Sequence, residues 1–183
     1  MSGVVVTRGI GTVLAAVMVM GLAVSCSAPP DKNSIAVEHP VTSASGSVPA
    51  TPNPDSAGLC PYLTADSVET FNGERVDSVL LDANSQPPAC FFTDTAGNVA
   101  VSVWVHHAES SSIAVELVNR AAPLSNTAPA ADPSGWVGGR FGGDEGAGYA
   151  VSKGAVAVLV TTTQPQSVKA QRIAVAVINE LGL

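Results

Sequence analysis

VAVSVWVH, residues Val99–His106, is the segment from which the fold of this 183-residue chain is most readily inferred. Valine occupies every second position, and Ala, Ser, Trp and His alternate with it. Such alternation is typical of a β-strand that buries one of its two faces. A second apolar run, Ala89–Thr93, precedes it across the turn residues Asp94–Asn98. The pattern therefore predicts a β-hairpin whose valine face lies in the core.

Further strands are predicted on both sides of this hairpin. Val76–Leu81 has the composition of a short strand, and Tyr149–Ser152 and Ala155–Thr162 form a second hairpin across a Lys-Gly turn. The stretch that contains Pro129 and Pro133 is predicted to be a loop.

Three helices are predicted around these strands. The first begins with Thr64 or Asp66 as its N-cap, and an Asn-Gly pair ends it. The second spans Ser110–Ala122 and stops before a proline. In the third, apolar residues recur at helical spacing from Ala170 to Leu181. The order α-βββ-α-ββ(β)-α predicts an α+β fold, with an antiparallel sheet flanked by helices.

The N-terminal region carries an export signal. A run of fifteen uncharged, mostly apolar residues, Ile10–Val24, lies shortly after the cation Arg8. Ser25 and then Cys26 follow this run. A membrane-spanning helix needs about 20 apolar residues, so the run is better explained as a signal peptide over residues 1–25.

Cys26 at the cleavage point resembles the acylated cysteine of the bacterial lipoprotein lipobox. The resemblance implies a palmitate-type lipid anchor on Cys26, and hence a protein at the extracytoplasmic face of the cell membrane. The lipobox usually has leucine three residues before the cysteine; here Ala23 takes that place and Leu22 lies one residue further back.

The mature chain divides into a linker and one domain. Residues 26–58 contain six prolines, many Ser, Thr and Ala residues, and no aromatic residue. Such a composition predicts a disordered spacer between the lipid and the domain. Residues 59–183 are long enough to form a single domain with a real core.

The charge distribution argues against nucleic acid as a partner. The formal net charge is −7, and only 13% of residues are charged. Six of the eight basic residues are scattered between Arg75 and Arg172 among more numerous acids, so no basic stripe is predicted.

Cys60 and Cys90 are the two cysteines of the domain. In an exported chain such a pair predicts a disulfide bond. A zinc site with His106 and His107 is the alternative. It is disfavoured because adjacent residues of a strand point to opposite faces. We therefore expect no metal and no cofactor.

The segment from Gly135 to Gly148 is half glycine. We interpret it as a tight, twisted hairpin. The alternative is a recognition loop in which Trp136, Arg140 and Phe141, residue types enriched in binding hot spots, contact a partner. A phosphate-binding loop or a calcium site is disfavoured, since the adjacent acids would repel phosphate and are too few for calcium.

Several motifs together resemble the small, uncharacterised lipoprotein domains of mycobacteria and related bacteria, and more broadly LpqN-type lipoproteins. They are CPYL at Cys60–Leu63, PACFF at Pro88–Phe92, Gly135-Trp136 and the helix at the C-terminus. The resemblance covers about residues 59–183 and implies a sandwich similar to the Mog1/PsbP fold. It implies no catalytic residues.

Two functional hypotheses follow. The first is a non-catalytic binding or scaffold module for another component of the cell envelope. The second is a carrier or binder of an apolar small molecule or lipid, held between the sheet and the helices. An enzyme is not expected: no G-x-S-x-G motif supplies a nucleophile, and His106-His107 is better explained as the end of a strand.

Overall fold

The computed structural model describes residues 46–183, so the predicted signal peptide and Cys26 lie outside the described residues. One eight-stranded sheet carries three helices. The helices are α1 (Ala65–Asn72), α2 (Ser111–Ala121) and α3 (Ser167–Glu180). The strands are β1 (Ser56–Ala57), β2 (Ser78–Asp82), β3 (Ala89–Thr93), β4 (Val99–His107), β5 (Ala128–Ala130), β6 (Val137–Gly143), β7 (Gly146–Lys153) and β8 (Val156–Thr162).

Every pair of neighbouring strands is antiparallel, in the order β1-β2-β3-β4-β8-β7-β6-β5. The sheet is open, with the two shortest strands at its edges. Short edge strands limit pairing with another chain. The predicted α+β class, an antiparallel sheet flanked by helices, is confirmed.

The predicted hairpin of β3 and β4 lies at the centre of the sheet. Val103 stands opposite Cys90 on one side and Val160 on the other. The valines at 101, 103 and 105 are fully buried, as the alternation predicts. Val99 is partly exposed because it begins the strand beside a turn.

The two faces of the sheet are covered by different helices. On the α3 face, the valines of β4 and β8 pack with Phe92, Tyr149 and Trp136 against Ile173 and the other apolar residues of α3. Helix α1 adds Val68 to the same cluster. On the α2 face, Trp104 packs with Leu117, Val118 and five alanines. The domain therefore has three layers, with the sheet in the middle.

The predicted ends of α1 agree with the structure, whereas the cap of α2 lies earlier than predicted. Thr64 caps α1 by accepting a hydrogen bond from the Ser67 N–H at 3.2 Å. For α2 the sequence predicts Ser111 or Ser112 as the cap, but Ser110 takes this place and accepts from the N–H of Ile113 at 3.4 Å. Gly73 ends α1 in the left-handed conformation, with φ +76°.

Three strands differ from the sequence prediction. β2 begins at Ser78 rather than Val76, because the N–H of Val76 donates to the Glu69 carboxylate at 2.8 Å and belongs to the connection after α1. β5, which contains Pro129, pairs with β6 in the stretch predicted as a loop. A proline is compatible with an edge strand, where no neighbour requires its missing N–H.

β1 lies in the stretch that the sequence assigns to the linker. The described part of that stretch, residues 46–58, is called here the covering segment. It is attached by backbone bonds to β2: the N–H of Asp55 donates to Leu81 O at 2.9 Å, and the N–H of Gly58 to Val79 O at 3.1 Å. Backbone pairing needs no apolar side chains, so composition does not indicate it. No helix within residues 46–183 is long and apolar enough to cross a membrane.

Candidate functional site

A partly open cavity of about 220 Å³ lies on the α2 face, between the sheet and α2. Its walls are mainly apolar and come from the sheet, from α2 and from the covering segment, including Phe91, Trp104, Leu117, Leu159, Thr51 and Pro52. A cavity between sheet and helix is where the sequence analysis expected an apolar ligand to bind.

The side chains of this face explain why space remains. Phe91 and Trp104 have large side chains, whereas Ala89 and Ala157 in the same apolar cluster are short and fill little of the space between the sheet and α2. Protein interiors are otherwise packed to the density of organic crystals, so a gap of this size is unusual.

The covering segment closes one side of the cavity. Thr51 and Pro52 lie on the wall, and Val48 packs against the apolar cluster of the α2 face. The segment is attached to the end of β2, where the N–H of Asn53 donates to Asp82 Oδ2 at 3.0 Å. This bond lowers the pKa of Asp82 below its usual range, although partial burial opposes the shift and hydrogen bonds from Asn84 add to it.

Two residues of the cavity wall carry polar groups. Trp104 is 7% exposed, and its indole Nε1–H is buried without a hydrogen-bond partner among residues 46–183 and is not accessible from the cavity. Arg120, in the last turn of α2, lines the cavity and donates from Nη2 to the carbonyl oxygen of Pro49. Because Arg120 is a hydrogen-bond donor, the cavity is suited to a ligand that carries an acceptor.

The hydroxyl of Ser102 on the cavity wall is not activated as a nucleophile. It is hydrogen-bonded to the hydroxyl of Thr161 across the β4–β8 pair, with 2.6 Å between the oxygens. His106 lies further along β4, where its ring stacks at a tilt on Trp104 with centroids 5.4 Å apart. Burial, aided by repulsion from His107, lowers the pKa of His106 and keeps the ring neutral at pH 7.

Cys60 and Cys90 form the predicted disulfide, with 5.7 Å between their Cα atoms. The bond connects the chain before α1 to β3 and packs on the α3 face. It occupies both thiols that the zinc alternative would need. Within residues 46–183, no group of three or more His, Cys, Asp and Glu side chains is placed to hold a metal ion.

The glycine-rich segment is the hairpin of β6 and β7, as its interpretation proposed. A side chain at Gly148 would lie 2.4 Å from the ring of Phe141, its cross-strand partner, so glycine there makes room for the ring. At Gly139 a Cβ atom would lie 2.7 Å from the carbonyl oxygen of Ala122, so glycine lets the end of α2 approach β6.

The same geometry does not support the recognition-loop alternative. Trp136 is 1% exposed and belongs to the core of the α3 face, so it cannot contact a partner. Arg140 and Phe141 are exposed, but they are consecutive residues of β6 and point to opposite faces. The three residues therefore do not share one surface.

Sequence reasoning missed the two polar groups that distinguish the cavity. Trp104 was assigned to the non-valine side of β4 without a role, and Arg120 was counted only among scattered charges. The available signal was the contrast between a large aromatic at 104 and alanines elsewhere on the same face, together with the position of Arg120 on the predicted second helix. The contact of Arg120 with the covering segment had no signal in the pattern.

The comparison with known families adds one finding. A family model described as "Domain of unknown function (DUF2020)" matches residues 44–183. The match therefore includes the whole covering segment as well as the sheet and helices. No curated protein shows a significant match to the chain. Because the family match spans well over half of the sequence, the chain belongs to the DUF2020 family.

Proposed function

We propose that this domain is a non-catalytic binding module that takes an apolar small molecule or lipid chain into the cavity on the α2 face. The observation that carries the proposal is the cavity itself: about 220 Å³, mainly apolar, partly open, and bordered by the cation Arg120. An apolar cavity of about 150 Å³ is enough to hold benzene in another protein. Ligand sites are concave and mostly apolar, with a few polar groups that orient the ligand.

The cellular setting of the proposal comes from the sequence. A signal peptide over residues 1–25 and an acylated Cys26 would hold the domain at the extracytoplasmic face of the cell membrane, as in the small mycobacterial, LpqN-like lipoproteins that it resembles. Residues 26–45 would then act as a spacer that keeps the cavity close to lipid. A ligand drawn from the membrane is consistent with that location.

The anchor has its own test. The protein purified from a membrane fraction should have an intact mass that fits cleavage before Cys26 and acylation of that residue, with no titratable thiol because Cys60 and Cys90 are paired. Cys26→Ala should leave the protein unacylated. A mutant that partitions into detergent like the wild type would contradict the lipid anchor, without bearing on the cavity.

A protein of the envelope is the other class of partner that the sequence suggested. The residues that motivated it, Trp136, Arg140 and Phe141, do not form a common surface. The proposal therefore rests on the cavity.

The cavity is tested with the mature chain, residues 26–183, carrying Cys26→Ser so that no acyl group competes. We expect saturable binding of the neutral fluorescent probe N-phenyl-1-naphthylamine. Ala121→Phe places a ring where an exposed alanine borders the cavity, and it should weaken binding at least about tenfold.

Val115→Phe is the matched control. Val115 lies on the same helix, is 44% exposed and is not among the residues of the cavity wall, so the probe should bind this variant as it binds the unsubstituted chain. Absence of saturable binding, or equal effects of the two substitutions, would refute the proposal.

A further inference from the structure

The distribution of charge on the cavity wall limits the chemical class of ligand that the cavity can bind. Of the described residues on its wall, Arg120 alone is charged, and the remaining wall is mainly apolar. The guanidinium carries a full positive charge at any physiological pH. A site with apolar walls and one cation is complementary to a molecule with an apolar body and one anionic group.

The present partner of Arg120 is a single neutral oxygen. Its Nη2 donates to the backbone carbonyl oxygen of Pro49, in the covering segment. A carboxylate carries the opposite charge and accepts two parallel hydrogen bonds from a guanidinium, which one carbonyl oxygen does not. A ligand carboxylate would therefore compete effectively with the Pro49 carbonyl.

Trp104 contributes the surface of its ring to the same wall. Its indole Nε1–H is buried and has no acceptor among residues 46–183, and it is not accessible to a molecule in the cavity. The polar group that a ligand can reach on this wall is therefore the guanidinium of Arg120, which can only donate and favours an acceptor over an ammonium group.

From the mainly apolar wall and its single cation we infer that the ligand is an amphipathic monoanion: an acyl chain that ends in a carboxylate. The chain occupies the cavity beside Phe91, Trp104 and Leu117, and the carboxylate binds the guanidinium of Arg120 in place of the Pro49 carbonyl. The inference rests on the proposed function, because it names the ligand class of the same cavity.

The test compares two ligands with the same chain and different ends, octanoate and 1-octanol, by isothermal titration calorimetry. The protein is the mature chain with Cys26→Ser. We expect octanoate to bind at least about tenfold more tightly than 1-octanol. Arg120→Met keeps roughly the length of the side chain and removes the charge; it should abolish this difference, so that octanoate and 1-octanol bind the variant with equal affinity.

Arg172→Met is the control for loss of a positive charge. Arg172 is exposed on α3, on the other face of the sheet, and should affect neither ligand. Arg120→Lys should retain part of the preference for octanoate, because it keeps the charge but loses the planar fork.

The outcomes separate the two proposals. If neither octanoate nor 1-octanol binds, the proposed function fails. If both bind with equal affinity, or if Arg120→Met weakens both to the same extent, the cavity is an apolar site and the anionic ligand class is refuted. Octyl phosphate separates the two sources of an anion: binding more than about tenfold tighter than that of octanoate would refute the carboxylate in favour of a phosphate head group.

Discussion

The two faces of the sheet are built from the same strands and covered differently. The α3 face has nineteen buried apolar residues, among them valines, isoleucines, Phe92, Tyr149 and Trp136. The α2 face has nine, of which five are alanine, and it contains the cavity. The comparison indicates that the α3 face is densely packed and stabilises the fold, whereas the α2 face contains the cavity that is proposed to bind a ligand.

The difference begins in the alternation of β4. Its valines project to the α3 face, while Ser102, Trp104 and His106 project to the α2 face. The valines are uniform in size and pack densely against a helix. Ser102, Trp104 and His106 differ widely in size, and on their side of the strand the space is not completely filled. A single strand therefore directs a tight core to one side and an incompletely filled layer to the other.

The largest expected effect comes from replacing two neighbouring phenylalanines, one on each face of the sheet, and it tests whether the faces differ in packing. Phe92 is fully buried on the α3 face, and Phe91 lies beside the cavity on the α2 face. We expect Phe92→Ala to lower the free energy of unfolding by about 3–5 kcal/mol, as for a ring removed from a packed core. Phe91→Ala should lower it by about 2–3 kcal/mol, because part of its surroundings is already open.

Urea denaturation measures both, as a shift of the midpoint at constant slope. The pair is its own control, since residue type, strand and size of the change are the same. Equal losses would mean that the two faces are equally packed and would contradict the difference in packing proposed here.

The approach of α2 to the sheet provides a second, smaller test. A Cβ atom at Gly139 would lie 2.7 Å from the carbonyl oxygen of Ala122, so Gly139→Ala should force the end of α2 away from β6 and lower the free energy of unfolding by about 1–3 kcal/mol. At Gly143, on the same strand, an added Cβ meets nothing within 4 Å, and Gly143→Ala should be nearly neutral. Thermal unfolding of the two variants decides the point; similar stabilities would show that α2 does not depend on this contact.

The smallest expected effect concerns the covering segment and pH. The pKa of Asp82 is lower in the folded protein than in an unfolded chain, where it is about 3.9. The charged carboxylate thus stabilises the attachment of Asn53 above about pH 4, and this contribution is lost as the pH falls through the lowered folded value. We expect hydrogen exchange of the Asn53 amide, corrected for its intrinsic rate, to accelerate as the pH is lowered from about 4 through the lowered pKa of Asp82.

Asp82→Asn should remove that pH dependence. Asp94→Asn is the matched control: the pKa of Asp94 is also lowered, mainly by the N–H of Asn98, but Asp94 lies in the turn between β3 and β4. If the exchange of Asn53 remained pH-dependent in the Asp82 variant, the attachment would not depend on this carboxylate.

Local patterns predicted much of the fold. Alternating valines, capping residues and a proline after α2 located β3, β4, β8 and two helices closely, and two cysteines in a chain that the sequence predicts to be exported predicted the disulfide. These features depend on neighbours in sequence or on the compartment. β1 and β5 were missed because they are formed by backbone pairing with strands that are brought close only by folding.

The candidate site was less accessible to sequence reasoning. In the sequence, Trp136 lies beside glycines and has the character of an exposed binding residue. In the structure it packs into the α3 face, because the hairpin of β6 and β7 that follows it lies against α3. Arg120 belongs to an ordinary amphipathic helix, and only the return of the covering segment to α2 gives it a role.

By itself, the sequence determined the elements that arise from local periodicity and chemistry: the valine strand, the helices with their caps, the paired cysteines and the predicted export signal. The tertiary structure alone decided which helix covers which face, where packing stays incomplete, and which side chains line the cavity. The physical reason is the distance along the chain over which each kind of interaction acts. Alternation and capping act over a few residues, whereas a cavity results from the mismatch of side chains on strands, helix and covering segment that lie far apart in the chain.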